Sequence, residues 1–399
     1  VYQIKISISD KKMRIKHLLL FGMAALSLSS CFKDEAPNAE CDITKAWVHT
    51  DNPNELFYQL SDTAINVMYD RNDISFTVRR KADVSRLAPL FEITPGATIN
   101  PANGSVQDFT NGPVLYTVTS EDKQWSRLYS VSFKPTVVTI PSAVIFDFEN
   151  ARVYEDANKK ATYYKWYENT MSDTDIEYWA NANAGFALSK SSATPDEYPS
   201  VAVDGYEGKG VKLTTCSTGD WGLLVRRPRA AGNFFIGEFD VSKALTNTML
   251  TTRMGRPFAK KPIKITGMYK YKAGDVFWRF VNGKIEEHTD IKDRAAIYAS
   301  FFRNHDNEGN EIVLNGNDSK TNPNIVASAE VNVIPETDEW TPFEMVFNYK
   351  GDIDLDELER QGYSLTIVFT SSTDGAYYEG APGSTLYIDN VRLECEEEK

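Results

Sequence analysis

Ile263-Lys264-Ile265-Thr266-Gly267-Met268-Tyr269-Lys270-Tyr271 alternates apolar and polar residues with a period of two. Successive side chains of an extended chain point to opposite faces, so this stretch predicts a strand with one face buried. The same pattern recurs in Val144-Ile145-Phe146-Asp147-Phe148-Glu149, Ala296 to Phe302, Phe343 to Tyr349 and Leu365 to Ser372. It closes with Ser384 to Leu393. A single helix is predicted over Leu355 to Gln361, with Asp354 as N-cap, Asp356 and Glu357 in the first turn and Gly362 as the stop. Roughly 250 residues of long strands with one short helix predict a jelly roll or related double sheet.

A second, smaller unit precedes it. Phe57 to Leu60, Ile65 to Tyr69, Ile74 to Val78, Val114 to Val118 and Leu128 to Phe133 are rich in β-branched and aromatic residues and bounded by turn formers. Short strands broken by turns predict a β-sandwich. The expected organisation is a sandwich over 41–135, a linker over 136–142 and the larger β-unit over 143–399. A polar tether over 32–40 and a leader over 1–31 come first.

Composition narrows the function. A hydrophobic content of 42% and an aromatic content of 12% supply a core, and the net charge of −13 excludes a nucleic-acid binder. Cys31, Cys41, Cys216 and Cys395 are too few for a disulfide framework. His49, His288 and His305 are isolated in sequence, which argues against a zinc site or a histidine-based triad.

The leader sets the address. Met13 reads as the start, with Val1 to Lys12 outside the fold argument. Arg14, Lys16 and His17 form a basic head, and Leu18 to Leu28 an apolar run shorter than the roughly 20 residues a membrane helix needs. Leu28-Ser29-Ser30-Cys31 resembles a bacterial lipobox, which implies lipidation at Cys31. Phe32-Lys33-Asp34-Glu35 resembles the signal that sends Bacteroidetes lipoproteins to the outer face of the outer membrane. The localisation implied is lipid-anchored, in the outer membrane, on its extracellular face.

Pro95 to Gly104, Asp108-Phe109-Thr110 and Val114 to Asp122 resemble an immunoglobulin-like module of Bacteroidetes surface lipoproteins. In that family it is a spacer; an adhesive domain is the functional alternative. In the larger unit the carrying segments are Phe146 to Asn150, Tyr206 to Thr215, Ile263 to Asp275, Trp340 to Phe343, Ser371 to Gly375 and Glu379 to Leu386. In order and spacing they resemble the Putative carbohydrate metabolism domain, a jelly-roll family often coupled to that spacer. The resemblance implies an all-β chain: an Ig-like β-sandwich followed by a larger jelly roll with one short helix. It also implies a carbohydrate ligand, with outer-membrane transport or surface proteins as partners.

Sugar binding requires aromatic faces and polar groups around them. Trp166, Trp179, Trp221, Trp278, Tyr377 and Tyr378 are the aromatic candidates. Asp374, Glu379, Asn181, Asn183 and Arg279 are their polar neighbours. Trp179, Trp221, Asp374, Tyr377, Tyr378 and Glu379 make up the expected ligand site. Tyr377-Tyr378 lies in a turn-rich loop, where adjacent residues face opposite ways and at least one ring is exposed. Trp278 and Trp340 read as core. By resemblance to jelly-roll carbohydrate-binding modules, Glu149 and Asp389 could hold a structural calcium, or be ordinary solvated carboxylates.

Three functions fit. The first is non-catalytic glycan capture. The second is a glycoside hydrolase or lyase, for which Glu286-Glu287 or Asp306 with Glu308 could be nominated. The third is a structural or adhesin-type surface protein.

Overall fold

The computed structural model describes residues 36–155, 162–168 and 176–399. The leader with Cys31 and the start of the tether lie outside those residues. The chain divides into two compact units at Val138 and Thr139.

In the N-terminal unit, Ile43–Val48 pairs with Ala64–Asn66 on one edge and Pro89–Ile93 on the other. A second sheet has Asp73–Arg79 parallel to Ser126–Thr136, followed by the antiparallel Val114–Thr119 and Thr98–Asn100. Aromatic rings fill the core. Phe76 stacks on Phe133 at 4.8 Å, Phe109 meets Phe133 edge-on, and Phe91 packs on Tyr116. Phe57 to Leu60 is not the expected strand. Pro53 opens a helical turn, Pro53–Leu56, and Leu60–Thr63 forms a 3₁₀ turn closed by a Gln59–Asp62 capping box. Between them Phe57 drops fully into the core.

The C-terminal unit has two main sheets. The smaller runs Ser200–Asp204, Lys209–Thr214, Thr385–Glu398, Lys261–Lys272 and Thr337–Val346. The central path of the larger runs Ile325–Glu330, Ala296–Arg303, Tyr363–Thr370, Asn233–Phe239, Ile176–Ala180 and Thr162–Glu168. Residues expected as a linker over 136–142 are mostly strand, leaving only Val137 and Val138 between Ser126–Thr136 and Thr139–Phe146. Thr139–Phe146 pairs with Val391 to Glu398, which satisfies backbone groups a linker would leave to water. The helix at Leu355–Glu359 forms, and Asp354 accepts hydrogen bonds from the Asp356 and Glu357 amides. It ends at Glu359, three residues before the expected glycine, and Gln361, not Gly362, takes the left-handed conformation, at φ 59°. Two further short helices lie in connections: Asn183–Ala187 follows Ile176–Ala180, and Gly219–Leu224 joins the paired strands Cys216–Ser217 and Arg229–Ala230.

Trp179 is the hub of the core between the sheets. Its ring lies 4.7 Å from Phe234 at an interplanar angle of 4°, with Phe146 and Phe148 edge-on to it. Trp166 meets Phe234 edge-on at 4.9 Å. The Trp179 indole N–H donates to Glu168 Oε1 at 3.0 Å. Burial pushes the Glu168 carboxyl up to about 7, against the indole hydrogen bond that favours its charged form.

Trp179→Ala should cost about 3–5 kcal/mol in urea unfolding, because the cavity left cannot collapse among stacked rings. Glu168 is predicted to make stability pH-dependent. Its folded value exceeds its unfolded one, so its contribution is full below about pH 4.5 and declines as pH rises towards 7. Glu168→Gln should flatten that decline in unfolding curves followed by tryptophan fluorescence.

Candidate functional site: an aromatic-walled cavity

In Tyr363–Thr370, Ile367 and Phe369 point into the core, so Val368 and Thr370 point to the opposite face of the larger sheet. Tyr298 does the same on Ala296–Arg303. This outer face floors a cavity of about 380 Å³, within the range of small-molecule sites. Its walls come from the helices Asn183–Ala187 and Gly219–Leu224, the 244–254 segment, the 316–321 loop and the turn at Gly375–Tyr378.

Three expected aromatics meet here. Trp221, on the Gly219–Leu224 helix, is 39% exposed, and Tyr377 is 67% exposed. Tyr378 is half-buried and lines the same cavity, held by its hydroxyl, which donates to Thr248 Oγ1 at 2.6 Å. Its φ of 61° is a left-handed conformation uncommon for a bulky residue, and it directs the ring inward from a turn tip. Tyr298, Asn233, Asn317, Thr370 and Thr373 add polar wall groups that sequence reasoning missed. They lie scattered between positions 233 and 373, with no local pattern to mark them.

Other expected site residues lie elsewhere. Trp179 is fully buried in the core and presents no face to a ligand. Trp166 is likewise buried, because both occupy core-facing positions of paired strands. Asp374 and Glu379 are absent from the cavity wall. The Asp374 carbonyl accepts the amides of Tyr377 and Glu379, while the Glu379 carboxylate faces Arg279 at 3.6 Å. Asn181 and Asn183 are buried; Asn183 exchanges two hydrogen bonds with the Ser200 backbone. Trp278 is half-buried, 5.8 Å below the buried Arg229. Arg229 donates to the Trp278 carbonyl at 2.9 Å and to the Gly380 carbonyl, tying the Phe277–Val281 strand to the loop that carries the tyrosines.

Among the described residues no aspartate or glutamate lines the cavity. Glu286 and Glu287 sit on an exposed hairpin, and Asp306 closes a tight turn by accepting the Glu308 and Asn310 amides.

Glu149 and Asp389 do approach each other, but around a hairpin rather than an oxygen-rich cage. Glu149 Oε1 accepts the Lys209 amide at 2.7 Å. The buried Asp389 accepts the amides of Tyr206, Glu207 and Asn390 at 2.6–2.9 Å. Burial and the neighbouring Glu149 raise the Asp389 pKa, while those three donors oppose the rise. Gly208, at φ 58°, leaves the room Glu149 needs; a Cβ there would lie 1.8 Å from Glu149 Oε1. Among the described residues no three carboxylate, histidine or cysteine groups cluster as metal ligands. Calcium takes six to eight oxygens, so this pair would need backbone carbonyls and water to complete a site. In this structure the two carboxylates secure the Gly205–Gly210 turn.

The model of the Putative carbohydrate metabolism domain matches residues 147–394. The chain belongs to this family. A second model, described as SGBP, N-terminal, matches residues 56–133 and ties the first unit of this family member to surface glycan-binding proteins. A crystal structure from Bacteroides thetaiotaomicron described as a putative glycoside hydrolase is 37% identical. The match covers 90% of this chain and 98% of that one, with a TM-score of 0.56. Another of the same description, from Bacteroides vulgatus, is 38% identical over 63% of this chain and 97% of that one, with a TM-score of 0.57. Among curated proteins, none matches the chain. The domain family and the N-terminal match both associate this all-β protein with carbohydrate.

Asp389→Ala should lower stability by about 3 kcal/mol, since it leaves buried amides without an acceptor. Excess calcium and excess EDTA should give the same melting temperature by calorimetry. A calcium-dependent rise would restore the pair as cation ligands.

Proposed function

We propose that this protein is a non-catalytic, cell-surface carbohydrate-binding lipoprotein that captures a glycan in the Trp221–Tyr377–Tyr378 cavity. One observation carries the reading: three accessible aromatic rings share a cavity of saccharide size, and no carboxylate is found among the described residues of its wall. Rings of this kind take the apolar face of a sugar, and the wall hydroxyls and amides take its hydroxyl groups. Lipidation at Cys31 would hold the protein at the outer face of the outer membrane. The N-terminal unit would act as a spacer, with outer-membrane transport or surface proteins as partners. No helix among the described residues is long and apolar enough to cross a membrane.

The hydrolase reading is favoured by the descriptions of the two Bacteroides relatives. It requires two carboxylates flanking the scissile bond, about 5–9.5 Å apart. Among the described residues the cavity wall offers none.

A glycan array probed with the chain from Ala36 to Lys399 should show selective binding. Trp221→Ala and Tyr377→Ala should each weaken it about tenfold, as loss of a central aromatic contact does. Bound oligosaccharide should be recovered uncleaved. Release of new reducing ends would favour the hydrolase, and absence of binding to every glycan would favour the adhesin reading.

A further inference from the structure

The outer face of the smaller sheet carries a second constellation, on the side of the sandwich opposite the cavity. Lys212 lies directly across from Tyr387, and Tyr387 directly across from Lys270. The Lys270 ammonium sits 5.0 Å from the Trp340 ring on the next strand. The alternating neighbours Val211, Leu213, Leu386, Ile388, Tyr269 and Tyr271 are all buried, so the row itself points away from the core. Trp340 meets Tyr387 at 6.4 Å and Tyr206 at 6.2 Å, both edge-on. Tyr206 is 47% exposed and comes from the very turn that Asp389 and Glu149 secure. Four strands at 4.7–4.9 Å spacing make this a lysine-aromatic array about 14 Å long.

Its charge sets it apart from the rest of the same sheet. On the Lys261–Lys272 strand, Lys261 is paired with Glu396, and Lys264 with Glu344 and Glu394. Farther along that strand Lys270 faces rings instead of glutamates. Among the described residues neither Lys212 nor Lys270 forms an ion pair. In a chain of net charge −13, an unneutralised pair of ammoniums between aromatic faces is selective for one ligand chemistry.

We infer that this face is a second saccharide-binding surface, for a glycan bearing carboxylate or sulfate groups. Rings of Tyr206, Trp340 and Tyr387 contact the apolar faces of the sugar units, and Lys212 and Lys270 meet the anionic substituents. It does not depend on the cavity and can be occupied together with it.

Affinity electrophoresis of the chain from Ala36 to Lys399 through gels containing polygalacturonate, dextran sulfate or unmodified dextran tests this. Retardation by at least one polyanion and not by dextran is expected, weakening as salt is raised. Polygalacturonate alone would identify a carboxylate ligand, and dextran sulfate alone a sulfate ester. Binding should fall about tenfold or more in the K212A/K270A double variant and in Trp340→Ala. It should be unchanged in Tyr377→Ala, whereas cavity binding should weaken there and be kept in K212A/K270A. Both lysines are surface residues, so the double variant retains the fold if Trp340→Ala does not. The inference is overturned if neither polyanion retards the protein, if K212A/K270A binds as the parent does, or if only Tyr377→Ala abolishes binding.

Discussion

The C-terminal strand Thr385–Glu398 has three neighbours to satisfy. Lys261–Lys272 pairs along one edge. The other edge is shared between Lys209–Thr214, opposite Thr385 to Ile388, and Thr139–Phe146, opposite Val391 to Glu398. At the changeover Asn390 takes φ 49°, the pairing slips, and Asp389 is left buried with amides of the adjoining turn aimed at it. A strand bulge of this kind re-aims side chains. Here it turns a carboxylate into the clasp for the Gly205–Gly210 turn, and through that turn it sets where Tyr206 stands. The first and last strands of the unit are therefore joined by backbone pairing, and the acids beside them serve the turn.

The same alternation sorts the unit's aromatics. Core-facing positions of the larger sheet collect Trp166, Trp179, Phe234 and Phe369, and Phe146 and Phe343 of the smaller sheet pack edge-on against Trp179 and Phe369, holding the two sheets face to face. Rings available to ligands are those the alternation or a turn expels: Tyr298 on the larger sheet, Trp221 and Tyr377 on its connections, Tyr387 and Trp340 on the smaller sheet. A sandwich of this design keeps recognition outside its core. Its two outer faces then differ in chemistry: one holds a concave cavity with no carboxylate among the described residues that line it, and the other presents Lys212 and Lys270 without ion-pair partners among the described residues.

Local physics was legible along much of the chain. Period-two alternation located the strands around Lys261–Lys272, Ala296–Arg303 and Tyr363–Thr370, and Asp354 announced its helix through capping chemistry. Asp374 to Gly383 read as a turn-rich loop with at least one exposed tyrosine, which Tyr377 is. Local reading failed where a distant partner decided. Phe57 is aromatic in a strand-like run, yet Pro53 and the core around Phe76 make it the buried end of a helical turn. Residues 136–142 look like a linker until the last strand pairs with most of them.

Trp179 and Trp221 show most clearly where the division falls. Residue type and near-neighbour pattern specify that a segment is extended, capped or turning, because those preferences act over a few residues. Whether a tryptophan becomes the hub of a core or the wall of a cavity depends on strand register and on which element lies across from it. Trp179 is set by its register against Trp166 and Ile236, and Trp221 by a six-residue helix placed beside Tyr377 from more than 150 positions away. Long-range pairing carries that information, and it exists only once the two sheets have closed on each other.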